Sequence, residues 1–187
     1  MRNELDEALC AKYPEVFRDR HAPMTHTCMC WGFECGDGWY TIIDTLCALL
    51  TSEYRQAKES YEFLKENFEN GGVMPWKDGK EITAEEVEEK RIAMEEARKR
   101  IPIASQVKEK FGGLRFYVNG ANDEHYHYIY FAESMSYRTC EECGAPGQTY
   151  HMGWYRTLCD KHADENYGEA AANYRNQTGE FAPDESD

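Results

Sequence analysis

The chain has 187 residues, 41% of them apolar and 13% aromatic, which suits one good core or a core with a small appended module and argues against general disorder. Its 35 acidic and 21 basic residues leave a formal charge of −14, which sets the surface against direct nucleic-acid binding, since that rests on Lys and Arg neutralising phosphates. No stretch approaches the roughly 20 apolar residues of a membrane span, and the start MRNELDEALC lacks the apolar run of a secretion signal. The expected location is therefore the cytosol, with no membrane partner.

Residues 3–11 read as a short helix with Leu5, Ala8 and Leu9 on one face, ended by Tyr13-Pro14. Residues 18–38 read as irregular. From Trp39, the spacing of Ile42, Ile43, Leu46, Leu49 and Leu50 predicts a helix, with Asp37 as its cap. The pattern runs on through Tyr54, Tyr61, Leu64 and Phe68 until Gly71-Gly72 and Pro75 break it. Thr83 and Glu86 have the spacing of a capping box at the head of a highly charged second helix. The two helices together predict an antiparallel hairpin inserted at 51–100.

Next come two runs of period two, Ile103, Ser105, Val107, Glu109 and then Leu114, Phe116, Val118, separated by Gly112-Gly113. That is a hairpin signal, because tight turns need positive φ. Residues 122–137 are ambiguous between strand and helix. Asn122 as N-cap and the spacing of Tyr126, Ile129, Tyr130 and Glu133 favour helix.

The strongest motif lies near the C-terminus. Cys140 and Cys143 form a C-x2-C pair, fifteen residues intervene, and Cys159 and His162 follow as C-x2-H. In a reducing compartment, closely spaced cysteines are more often metal ligands or buried thiols than disulfides. Two such pairs match the rule for one tetrahedral zinc, held by a knuckle and by the first turn of a helix. A hairpin about Gly153 would lie between them. Four protein ligands leave no open position, so one structural zinc is expected. His26, Cys28, Cys30 and Cys35, with His21 nearby, could hold a second metal. However, C-x-C-x4-C is not a common zinc spacing, and small buried thiols are the better reading.

The run from Cys30 to Trp39 combines two tryptophans, several glycines and a helix start. Trp31 and Trp39 could stack on a base, free N–H groups near Asp37 could take a phosphate, and Arg115 could add a bidentate contact. Those four residues are the candidate ligand-binding set. The competing reading is that both tryptophans flank a turn in the core.

The segments CMCWGFECGDGW, QVKEKFGGLRFYV, CEECGAPG and GWYRTLCDKHA resemble a widespread group of small phage and prophage proteins. The resemblance covers about residues 8–50 and 101–165, and 51–100 looks like an insertion. It implies an accessory protein in a bacterial host cytoplasm, of a kind that often counters host defence. It carries no agreed activity, so no catalytic residue transfers.

Three function classes compete. The first is a non-enzymatic binding protein that neutralises a host factor. Its acidic surface would occupy a basic, nucleic-acid-binding host protein, or its tryptophan-glycine segment would sequester a small nucleotide signal. The second is a small zinc-stabilised enzyme, but no nucleophile elbow, phosphate loop, HExxH or deaminase signature is present. His125 and His127, beside Asp123 and Glu124, read as polar residues at a helix start. The third, a zinc module on DNA, conflicts with Glu141 and Glu142 in the knuckle. Self-association into a homo-oligomer stays open. The expected fold is α+β, with a small antiparallel sheet or hairpin, packed helices and a treble-clef-like zinc module. Residues 1–138 would form the core, 139–175 the zinc module and 176–187 a disordered acidic tail.

Overall fold

The computed structural model describes residues 1–73 and 81–178. The first helix, α1 (Asn3–Lys12), ends at Tyr13 as the following proline requires, and buries Leu9. Residues 18–38 are largely irregular, with a 3-10 turn at Cys28–Trp31, a two-residue strand β1 (Phe33–Glu34) and a second 3-10 turn at Asp37–Trp39. The strand has no sequence signature of its own, because two residues carry no period.

Helix α2 (Tyr40–Leu50) turns Ile43, Leu46, Cys47 and Leu50 inward. Asp37 does not cap it. Its carboxylate instead accepts the backbone N–H of Arg2 at 2.8 Å and pairs with the Arg2 guanidinium at 3.0 Å. The apolar pattern that continues past Leu50 belongs to a separate helix, α3 (Ser52–Glu69). The break falls at Thr51, whose hydroxyl donates back to the carbonyl of Cys47 at 2.8 Å. Such local side-chain bonds compete with helix continuation. Helix α4 (Ala84–Lys99) starts at the Thr83–Glu86 capping box. It packs antiparallel on α3: Arg100, just past its end, pairs with Glu53 at the start of α3, while a bridge between Val73 and Glu81 joins the far ends. Pro75 lies outside the described residues.

Strands β2 (Ile103–Lys110) and β3 (Gly113–Asn119) form the expected antiparallel hairpin, and β1 adds to β2 in parallel, with Phe33 opposite Val107. Two details differ from the pattern. The turn is Phe111-Gly112, at φ 54° and 78°, one residue earlier than the glycine pair suggests. Gly113 is already strand, and it is small because the Tyr137 ring lies against it: a Cβ there would meet that ring at 2.3 Å. A bulge between Ala104 and Gln106 shifts the alternation of β2, so that Ala104 and Val107 both face the core.

Helix α5 (Asp123–Ser136) covers β3, which resolves the ambiguity at 122–137 in favour of helix, with Asn122 as N-cap. The C-terminal unit is a hairpin of β4 (Gln148–Met152) and β5 (Trp154–Leu158) followed by α6 (Asp160–Tyr167) and α7 (Glu169–Thr178). The last helix therefore includes residues 176–178. The remainder of the expected disordered tail lies outside the described residues.

The fold is thus α+β with two apolar clusters. The larger joins Leu9, Val16, Trp39, Ile43, Leu46, Val107, Leu114 and Phe116. The smaller holds Cys140, Tyr150, Leu158, Ala163 and Ala171. Among the described residues, no helix is long and apolar enough to cross a membrane.

Candidate metal centre

The chain between Thr139 and Gly144 is a tight knuckle: Gly144 N–H donates to the carbonyl of Cys140 at 2.8 Å. Fifteen residues later the hairpin has run out and back, which returns Cys159 to the knuckle as N-cap of α6 and puts His162 in the first turn. The donor atoms of Cys140, Cys143, Cys159 and His162 all lie within 4.8 Å of one another. Individual edges are 3.8 Å for Cys143 Sγ to Cys159 Sγ, 3.3 Å for Cys140 Sγ to His162 Nδ1 and 3.4 Å for Cys159 Sγ to the same nitrogen. A tetrahedron built from ordinary zinc–ligand bond lengths has edges of about 3.8 Å between sulfurs and about 3.5 Å from sulfur to nitrogen. The four side chains therefore have the size, shape and donor chemistry to hold one metal ion.

The ligands are prepared electrostatically in unequal ways. Burial pushes the thiol of Cys140 up to about 11, while the backbone N–H of Ala145 draws Cys143 below its ordinary value. A dication bound to these sulfurs would favour both thiolates. His162 offers Nδ1 to the cluster. Its Nε2 faces the carboxylates of Glu142 at 3.8 Å and Glu165 at 3.9 Å. Glu142 is itself held by Arg156 at 2.7 Å, and Arg156 also bonds Asn166. A carboxylate behind a metal-bound imidazole fixes its tautomer and orientation.

The two acidic knuckle residues thus have structural duties that composition alone could not assign. Glu141 accepts the N–H of Gly36 at 2.9 Å, and its backbone carbonyl accepts that of Gly38 at 2.7 Å. The Gly36–Gly38 segment lies backbone to backbone on the knuckle. A Cβ on Gly38 would meet the carbonyl oxygen of Cys140 at 2.1 Å, and one on Gly36 would meet that of Glu141 at 2.2 Å. Trp39 then enters the core fully buried, its indole N–H donating to Thr139 at 2.8 Å. No short-range signal could have revealed this seam, since about a hundred residues separate its halves. Arg156 and Asn166 were equally hidden, although Asn166 sits one helical turn after His162.

The other candidate residues are differently placed. Trp31 is exposed, Trp39 has no open face and Asp37 is paired with Arg2. Arg115 is half-buried on β3, donating to the Tyr137 hydroxyl at 2.7 Å and lying over that ring. None of these four lines the cavities of about 220, 570 and 390 Å³ found elsewhere on the surface. Among the described residues, the donor atoms of His26, Cys28, Cys30 and Cys35 form no metal-binding group. Cys35 is buried, and burial raises its thiol to about 12, while His26 faces Asp19 at 3.3 Å. His125 closes the N-terminal capping box of α5 with Asn122.

No protein family, curated protein or solved structure matches this chain.

Proposed function

We propose that this protein is a non-enzymatic, zinc-clamped binding protein that neutralises a host factor, in the phage counter-defence setting suggested by its sequence motifs. One observation carries the non-catalytic part. Three sulfurs and an imidazole fill all four positions of a tetrahedral ion, so a bound zinc has no place for water or substrate. Its chemistry is then architectural: knuckle, hairpin and helix are clamped together in a treble-clef arrangement. Function passes to the surface.

That surface is acidic. Helices α3 and α4 carry eleven acidic against seven basic residues, and the chain as a whole has a charge of −14. Complementarity favours a basic host protein, such as one that itself binds nucleic acid. Sequestration of a nucleotide by the Trp31–Trp39 segment has less support, because Trp39 is sealed in the core. The test is purification from phage-infected host cells, with metal analysis and mass spectrometry of co-purifying proteins at two ionic strengths. The reading expects about one zinc per chain and a basic partner lost at high salt. Turnover of a substrate by the isolated protein, or protein free of metal when purified without chelator, would overturn it.

A further inference from the structure

The cysteines of this chain differ sharply in their access to solvent. Cys35 and Cys47 are buried, and burial pushes both thiols up, Cys35 to about 12. Cys10, Cys28 and Cys30 are half-buried, and two of them already donate: Cys10 to Asp6 at 3.5 Å and Cys30 to the carbonyl of Thr27 at 3.3 Å. Outside the metal centre, no two thiols are in hydrogen-bond contact among the described residues. Inside it, exposure is uneven. Cys140 is fully buried, Cys159 is half-buried, and Cys143 is the one exposed cysteine of all eight.

The most accessible thiol therefore stands 3.8 Å from a second sulfur, that of Cys159. A disulfide bond is about 2.05 Å long, so closing it asks each sulfur to move by about 0.9 Å, within reach of side-chain rotation. Cys140 is the poorer partner. Its Sγ lies 3.3 Å from His162 Nδ1, its N–H donates to Ala145 at 2.8 Å, and its side chain belongs to the smaller core with Tyr150 and Leu158.

A sulfur in a disulfide is no longer a thiolate ligand. Pairing Cys143 with Cys159 leaves Cys140 and His162 as donors, two short of the set that holds a structural zinc. The new bond still joins the knuckle to the N-cap of α6, the two segments that the ion would hold. We propose that Cys143 and Cys159 form a peroxide-operated release switch, which exchanges the metal clamp for a covalent one. This rests on the zinc-clamp reading above. In the first step the Cys143 thiolate attacks a peroxide oxygen. An S–O bond forms as O–O breaks, and the displaced hydroxide takes up a proton and leaves as water. The Cys159 thiolate then attacks that sulfur, S–S forms as S–O breaks, and a second hydroxide leaves as water. Two sulfurs thus give two electrons to the peroxide, and two protons are consumed.

The test treats the full chain, its metal content measured first, with hydrogen peroxide while a chromogenic chelator reports free zinc. Release of about one zinc per chain is expected, with two of the eight thiols lost and Cys143 joined to Cys159 in the peptide map. Dithiothreitol and added zinc should restore both thiols and metal. Cys143→His keeps a zinc ligand without a thiol and should slow release at least about tenfold. Cys28→Ser with Cys30→Ser should leave the rate unchanged. The wild-type peptide map decides the pairing whether or not Cys143→His holds zinc. Chain that carries no zinc before treatment overturns the clamp and the switch together. Zinc-loaded chain that keeps its metal under peroxide, or whose map joins other cysteines or none, overturns the switch and leaves the clamp standing.

Discussion

The indole N–H of Trp39 donates to the carbonyl of Thr139 at 2.8 Å, which ties the first turn leading into α2 to the residue just before the first metal ligand. With Gly36 and Gly38 lying on the knuckle beside it, the metal centre and the main core share a seam. A metal held there would therefore organise more than the terminal helices, and several measurements follow from that.

Removing the metal should be felt at Trp39. Structural zinc sites contribute about 10–16 kcal/mol of apparent binding free energy at pH 7, comparable with the whole stability of a domain. Chelation should unfold the 139–175 unit and, through the seam, change the near-ultraviolet circular dichroism and fluorescence of the buried tryptophan. A Trp31→Phe, Trp76→Phe, Trp154→Phe background isolates the Trp39 signal. A spectrum unchanged by complete demetallation would show the two units to be independent.

The seam should reject a methyl group. Gly38→Ala places a Cβ against backbone atoms of Cys140, Cys143 and Gly144. Backbone cannot swing aside as a side chain can, so a loss of about 3 kcal/mol is expected in urea titration. Gly120→Ala is the control. Its φ is +76° but its surroundings are open, and about 1 kcal/mol is the expected cost.

Glu142 should control metal affinity without touching the metal. Glu142→Ala removes the carboxylate facing His162 Nε2 and releases Arg156. Loss of such a supporting partner typically lowers metal affinity by about 10- to 100-fold. Competition with a chromogenic chelator measures it. Glu165→Ala is expected to cost less, because Glu165 is more exposed and has no guanidinium holding it on the histidine.

Glu133 should mark the stability profile at acid pH. Its carboxylate accepts the N–H of Phe116 at 2.9 Å, yet burial raises its pKa above the ordinary value. A carboxyl raised on folding favours the folded state below its unfolded pKa, and that contribution is lost as pH rises through the folded pKa. Glu133→Gln keeps an acceptor and has no charge to bury. It should therefore be slightly more stable than wild type at pH 7, by less than about 1 kcal/mol, with the gap closing toward pH 4. Following the difference between the two proteins cancels the acid sensitivity of the metal ligands. A gap that widens on acidification would contradict this account.

Much of the local structure was legible because its cause is local. The capping boxes at Thr83 and Asn122, the stop at Tyr13-Pro14 and the period of Leu114, Phe116 and Val118 each act within a few residues. The gathering of the four candidate donors was legible for a related reason: a short spacer fixes which atoms a turn or a helix start can present together. Apart from the break at Thr51, whose cause is local, errors arose where another segment intervened. The bulge at Ala104–Gln106 shifts the alternation of β2, and Gly113 is small because of Tyr137, not because of the turn.

What the sequence alone determined, then, is most of the helices, the β2–β3 hairpin and the composition of the candidate metal-binding cluster, since these depend on bonds and spacings along the chain. Only the tertiary structure decided the purpose of Cys35-Gly36-Asp37-Gly38-Trp39. That run suggested part of a ligand pocket. The backbone its glycines admit is the protein's own knuckle, about a hundred residues away, and close approach between distant segments leaves no periodic trace in either of them.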